Sequence, residues 1–260
     1  MPMIDADGCL LNVAVEGRDG GPTLMLSNSL GSTLQMWEPQ MRAFTQIFRV
    51  IRYDRRGHGK SQVPPAPYSI ERFGRDALAI LDDLNIEKVH WCGVSMGGMV
   101  GQWLAAHAPE RLGKLVLANT ACHYPDPSIW EARINAVKDG GLAAVADTVI
   151  GGWLTQEFRE AHPEVGDRMK TMLLATPVEG YLACCEALSR LDLREDLPHI
   201  KSPTLVIAGR YDKSTPIAMA EAIRSRIAGA SMTIVDAAHI SNVEAAGPFN
   251  DAVLGFLTQR

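Results

Sequence analysis

Two rhythms of apolar residues alternate along the chain. Short runs rich in Val, Ile and Leu, bounded by Gly, Pro or Asn, predict strands over residues 9–15, 23–27, 48–53, 114–118, 204–209 and 231–235. Another strand-like run leads into Gly93. Between them the period changes to that of a helix. Phe73, Ala77, Ile80, Leu81 and Leu84 mark a helix over 70–84, and others are expected over 37–44, 100–108, 216–227 and 246–257. Strands alternating with helices predict a mostly parallel sheet with helices on both faces. The alternation breaks once. Residues 124–192 carry helical patterns (128–140, 142–150, 155–162, 165–175 and 178–191) and no strand, and Ser128 with Glu131 has the spacing of a capping box. The expected organisation is an α/β core of residues 1–123 and 193–260 with a helical cap inserted at 124–192. The cap would lie over the sheet's carboxyl edge, where open α/β sheets bind ligands.

Composition narrows the function classes. The chain has 260 residues, 47% hydrophobic and 21% charged, which suits one large-cored domain and excludes a disordered chain. A net charge of −5 argues against nucleic acid or an anionic membrane as partner. No apolar run is long enough to span a bilayer, and the N-terminus shows no export signal. The protein reads as cytoplasmic. Five cysteines, an odd number with Cys184 and Cys185 adjacent, read as free thiols rather than a disulfide framework. Oligomeric state is not legible.

The candidate chemistry centres on Gly93-Val94-Ser95-Met96-Gly97-Gly98, where a strand-like run meets a helix-like one. A serine on so sharp a turn is strained, and neighbouring chain can pass it only where side chains are absent. The helix N-terminus that follows aims free N–H groups, Met96's first, at an anion forming beside Ser95. Serine needs a base, and the base needs an acid to fix its tautomer. Of seven histidines, His90, His107 and His199 read as structural, while His58 and His123 lie in loops that could face a site. His239 stands out on the loop after the last strand. Asp212 occupies the loop after the strand at 204–209; the rival acid position holds the uncharged Asn119, and Asp236 reads as a solvated loop residue. The order Ser95, Asp212, His239 is that of α/β-hydrolases. A second oxyanion donor is expected from the Leu30 amide in Asn28-Ser29-Leu30-Gly31, with the Ser29 hydroxyl near the reacting carbonyl. Gly59-Lys60-Ser61 imitates the end of a P-loop, but Asp54 stands where its first glycine belongs and would repel phosphate. No metal-ligand cluster is found, and this chemistry requires no metal or cofactor.

Nearly the whole chain resembles the α/β-hydrolase superfamily. The stretches Ser27-Asn28-Ser29-Leu30-Gly31, Tyr53-Asp54-Arg55-Arg56-Gly57-His58-Gly59-Lys60-Ser61, Ala118-Asn119-Thr120-Ala121 and Ala238-His239-Ile240-Ser241-Asn242-Val243-Glu244 resemble 3-oxoadipate enol-lactonases. The resemblance implies hydrolysis of a small carboxylated lactone in aromatic catabolism. In the cap, Trp130 and Arg133 are three apart and share a helix face with Ile134 and Val137. Arg133 either snorkels to water or pairs with the carboxylate that the enol-lactone carries, and Trp130 either packs or walls the pocket. Rival readings are an esterase, lactonase or perhydrolase acting on an uncharged substrate, or a hydrolase fold serving as a small-molecule receptor.

Overall fold

A computed structural model of the chain describes residues 2–259. Eight strands form one sheet in the order β1-β2-β4-β3-β5-β6-β7-β8. They are β1 (Met3–Asp5), β2 (Leu10–Gly17), β3 (Thr23–Ser27), β4 (Arg49–Tyr53), β5 (Val89–Val94), β6 (Leu112–Ala118), β7 (Thr204–Gly209) and β8 (Ser231–Val235). The first two pair antiparallel, and β4, β3, β5, β6, β7 and β8 run parallel. Every residue of β7 is buried, whereas β8, at the edge, is half-exposed and polar at Ser231 and Thr233. A strand covered on both faces must be apolar throughout; an edge strand need not be.

Helices α1 (Glu38–Phe44), α2 (Ile70–Asp83), α3 (Met96–His107), α9 (Ile217–Arg224), α10 (Ser241–Glu244) and α11 (Ala246–Thr258) surround the sheet. Helix α2 shows why the periodicity was readable: Ile70, Phe73, Ala77, Ile80 and Leu81 are buried, and Ser69 caps its start by accepting the Arg72 N–H at 3.0 Å. Between β6 and β7 lie α4 (Ser128–Gly140), α5 (Ala146–Trp153), α6 (Gln156–Ala161), α7 (Pro163–Leu174) and α8 (Val178–Ser189), with no strand among them. This insertion, called the cap below, is held to the core in part by glycine. Gly180 of α8 lies against Gly57, and a Cβ there would stand 2.1 Å from the Gly57 carbonyl oxygen.

Several expectations need correction. The capping box at Ser128 does not form: Ser128 is already helical, and its N–H is taken at 2.9 Å by Asp126 Oδ1 two residues upstream. Helix α3 begins at Met96 rather than 100, because glycines that weaken a sequence prediction are needed here for close packing. The helix expected over 142–150 is a short 3₁₀ turn (Leu142–Ala144) followed by α5. Strand β1 and helix α10 are too short to leave a periodic trace.

Candidate active site

Strand register brings the site's pieces to one edge. Ser27 pairs with Gly93, Val94 with Ala118, Ala118 with Ile207, and Gly209 with Val235, so the loops after β3, β5, β6, β7 and β8 emerge side by side. Ser95 sits between β5 and α3 at φ 57°, ψ −119°, a left-handed conformation that a non-glycine residue holds only when its surroundings enforce it. The enforcement is visible. The Ser95 N–H donates to Ala118 C=O at 2.9 Å, and the Thr120 hydroxyl donates to Ser95 C=O at 2.7 Å. Glycine is required on both sides of it: a Cβ at Gly93 would meet the Gly97 oxygen at 2.2 Å, and one at Gly97 the Ser27 oxygen at 2.0 Å.

Ser95, His239 and Asp212 lie in one hydrogen-bonded line. His239 Nε2 is 2.8 Å from Ser95 Oγ, and His239 Nδ1 is 2.8 Å from Asp212 Oδ2. The Asp212 carboxylate also accepts from Asn119 Nδ2 at 3.0 Å, from the Thr215 hydroxyl at 2.7 Å and from the Ser214 and Thr215 N–H groups at 2.8 and 2.9 Å. Burial alone would raise its pKa, but the His239 charge and hydrogen bond, with two hydrogen bonds from Thr215, bring it down to about 2. Asn119 therefore stands in the rival acid position as a donor to the acid. Its left-handed backbone (φ 46°) and its bond from Ser241 hold it there. Asp236 is exposed and pairs with Arg210, away from this line.

The loop after β3 is fastened at nearly every polar group. Asn28 Nδ2 donates to Tyr53 C=O, Trp37 Nε1 donates to Asn28 Oδ1, and buried Arg55 donates to Asn28 C=O. The Ser29 N–H meets Met36 Sδ at 3.4 Å, and the Gly31 N–H donates to His58 Nε2 at 2.9 Å. Among the described residues, the Leu30 and Met96 N–H groups have no such acceptor. These two amides can receive a developing oxyanion. His58 does not face the cavity. Burial, reinforced by the Arg55 charge, lowers its pKa to about 3, so it is neutral and free to accept from Gly31.

A cavity of about 450 Å³ opens between core and cap. Ser29, Leu30, Ser95 and His239 line its floor, and Trp130, Arg133, Trp153 and Tyr181 come from the cap. Met96 and Asp212 are outside its wall, one offering a backbone N–H and the other standing behind His239. The Arg133 guanidinium lies 5.3 Å over the Trp130 ring, which packs edge-on against Tyr124. Ser29 Oγ, Trp130 Nε1 and Tyr181 Oη are buried without a hydrogen-bond partner of acceptable geometry. Burial pushes the Tyr181 hydroxyl above its usual range against the opposing pull of Arg133, so it remains a donor. Sequence reasoning did not single out Tyr181, which sits in an apolar helical pattern indistinguishable from core, or Trp153, which falls between the helices expected over 142–150 and 155–162. Among the described residues, no group of three His, Cys, Asp or Glu side chains is arranged to hold a metal ion.

Residues 22–143 match the alpha/beta hydrolase fold family. The chain is 42% identical over 250 residues to 3-oxoadipate enol-lactonase 2 of Acinetobacter baylyi, covering 96% of this chain and 94% of that one. It is 37% identical over the same shares to that organism's 3-oxoadipate enol-lactonase 1. The crystal structure of the enol-lactonase from Burkholderia xenovorans LB400 superposes with a TM-score of 0.97 at 40% identity, covering 99% of this chain and 100% of that one.

Proposed function

Since the chain belongs to the alpha/beta hydrolase family and is a hydrolase, we propose that it opens a small carboxylated enol-lactone, 3-oxoadipate enol-lactone, to 3-oxoadipate. Ser95, Asp212 and His239 act as the triad. His239 Nε2 takes the Ser95 proton as Oγ attacks the lactone carbonyl, and the Leu30 and Met96 amides hold the oxyanion. Collapse of the tetrahedral intermediate breaks the ring C–O bond. The enol oxygen leaves with the proton from His239 and tautomerises to the ketone. Water, deprotonated by the same imidazole, then attacks the acyl-serine and releases the second carboxylate.

One observation carries the choice of a carboxylated substrate. Arg133 comes from the cap, with Trp130 and Tyr181 beside it, to the wall of the cavity that holds Ser95. The guanidinium is the permanent positive charge that the cap brings to this wall, and a substrate carboxylate is the group that would pair with it. Ser29 Oγ, on the floor beside Leu30, would bind the lactone near its reacting carbonyl.

The test is kinetic. A charge-assisted hydrogen bond contributes about 1.5–3 kcal/mol, so Arg133→Ala should lower kcat/KM for the enol-lactone by about 10- to 150-fold. An uncharged lactone or aryl ester should be turned over nearly as before. Arg133→Lys should restore only part, because a point charge lacks the guanidinium fork. Equal losses on charged and neutral substrates would remove the carboxylate reading.

A further inference from the structure

The loop that carries His239 is anchored from two sides. From the core, Asn119 Nδ2 donates to Ala238 C=O at 3.1 Å and the Tyr211 N–H donates to Ala237 C=O at 3.0 Å. The two N–H groups that flank the histidine lead elsewhere. The Ile240 N–H donates at 2.9 Å to the carbonyl of Trp153, the last residue of α5, whose side chain walls the cavity. The Ala238 N–H donates at 2.8 Å to Glu244 Oε2. That same carboxylate accepts the Thr155 N–H at 3.2 and 3.3 Å and the Thr155 hydroxyl. Thr155 is the N-cap of α6, accepting the Phe158 N–H at 3.2 Å. So residues 153–155, the corner between α5 and α6, are tied to residues 238–240 on both sides of the imidazole.

Every contact to Glu244 in this knot comes from a donor. A carboxylate, which only accepts, is the group that can serve Ala238 and Thr155 together; a carboxamide would turn its NH₂ toward one of them. Glu244 is not in the cavity wall, so it does not touch substrate.

We propose that Glu244 is a positioning residue: it locks the α5–α6 corner of the cap to the histidine loop, so that His239 is aimed at Ser95 only while that corner is seated. The inference rests on His239 being the base but not on the identity of the lactone. The two 2.8 Å bonds of His239 leave little room for a shifted loop. A displacement near 1 Å at a reacting group costs on the order of 100-fold in rate.

The experiment uses the full chain, a small neutral aryl ester and a small neutral organophosphonate, neither of which needs Arg133. Variants are Glu244→Ala, Glu244→Gln, Thr155→Val and the double Glu244→Ala/Thr155→Val. Glu244→Ala should lower kcat and the rate of Ser95 phosphonylation by about 10- to 100-fold with KM little changed. Glu244→Gln should recover part of that loss. Thr155→Val should lose less, and the double variant should be no slower than Glu244→Ala, because both changes cut one link. Losses that multiply in the double variant would overturn the proposal. So would a lowered melting temperature with kcat of the folded enzyme intact, or a raised KM with kcat intact. Failure of the wild-type protein to be phosphonylated at Ser95 is a different result: it removes the nucleophile assignment and this proposal with it.

Discussion

His58 shows how a single residue can fix a site it never touches. Its Nε2 must be unprotonated to accept the Gly31 N–H beside Leu30. Its ordinary value of 6.5 falls to about 3 in the fold, so between those limits the unfolded chain binds a proton that the native state does not. Stability should therefore rise with pH across that window and fall as pH drops below 6.5, by about 2 kcal/mol at pH 5 from this group alone. His58→Gln, whose Oε1 can accept from Gly31, should remove that part of the pH dependence in urea unfolding. Parallel losses in both proteins would clear His58 of the effect. For Ser95, the expected result is an organophosphate adduct on that residue by mass spectrometry. Ser95→Ala should lower kcat by on the order of 10⁶, and Asp212→Ala by less. An adduct elsewhere would end the assignment. Ser95, Asp212 and His239, which the structure aligns by hydrogen bonds, could be proposed from the sequence because each obeys a local rule: glycines around a serine, and a charged or ionisable group just past a strand. His58 and Glu244 obey none. Their partners, Gly31 and Thr155, are 27 and 89 positions away.

At the level of elements, local rules worked where one face of a helix meets the sheet and failed where two short segments compete for the same N–H. Helix α2 has buried residues at regular intervals, and that period was legible; its serine cap is a finding of the structure. The capping box at Ser128 lost to Asp126, a competition that depends on how the chain enters α4. Helix α8 supplies a sharper case. Nothing in its sequence shows that Gly180 is a point of contact between cap and core, since a glycine inside a helix reads only as a weakness. Gly180→Ala would drive a methyl group into the Gly57 backbone, which has no side chain to move aside. The change should destabilise the protein by about 1–3 kcal/mol. Because Gly57 directly precedes His58, kcat should fall as well. A stable, fully active Gly180→Ala protein would show that α8 can retreat without cost to the site.

Among the described residues, helices surround one eight-stranded sheet, five more lie between β6 and β7, and the cavity takes its walls from both the core and this insertion. The fold class was legible because parallel strands buried on both faces cannot hide their composition. The cap's helices were legible too, but not which of their aromatic residues would turn inward, as that depends on packing between α4 and α8. No described helix is long and apolar enough to cross a membrane. All five cysteines are free and buried. Burial raises the Cys92, Cys122, Cys184 and Cys185 thiols, so they should resist alkylation in the native state. A reductant should leave the melting temperature unchanged; a clear drop would mean that a disulfide contributes to the fold.

The separation of 144 positions between Ser95 and His239 also has a meaning in time. A ribosome needs on the order of ten seconds to make that length. During that interval the nascent chain carries Ser95 and gains the cap, but it lacks His239, the imidazole proposed to take the serine's proton. Reactivity cannot build up by degrees. It arrives when the last strand pairs with β7 and swings residues 237–240 beneath the corner of the cap. Chains stalled before β8 should be inert to an organophosphonate, and those extended far enough for α11 to pack should react at nearly the full rate. The order of synthesis would thus keep the proposed nucleophile silent until the cavity around it is complete.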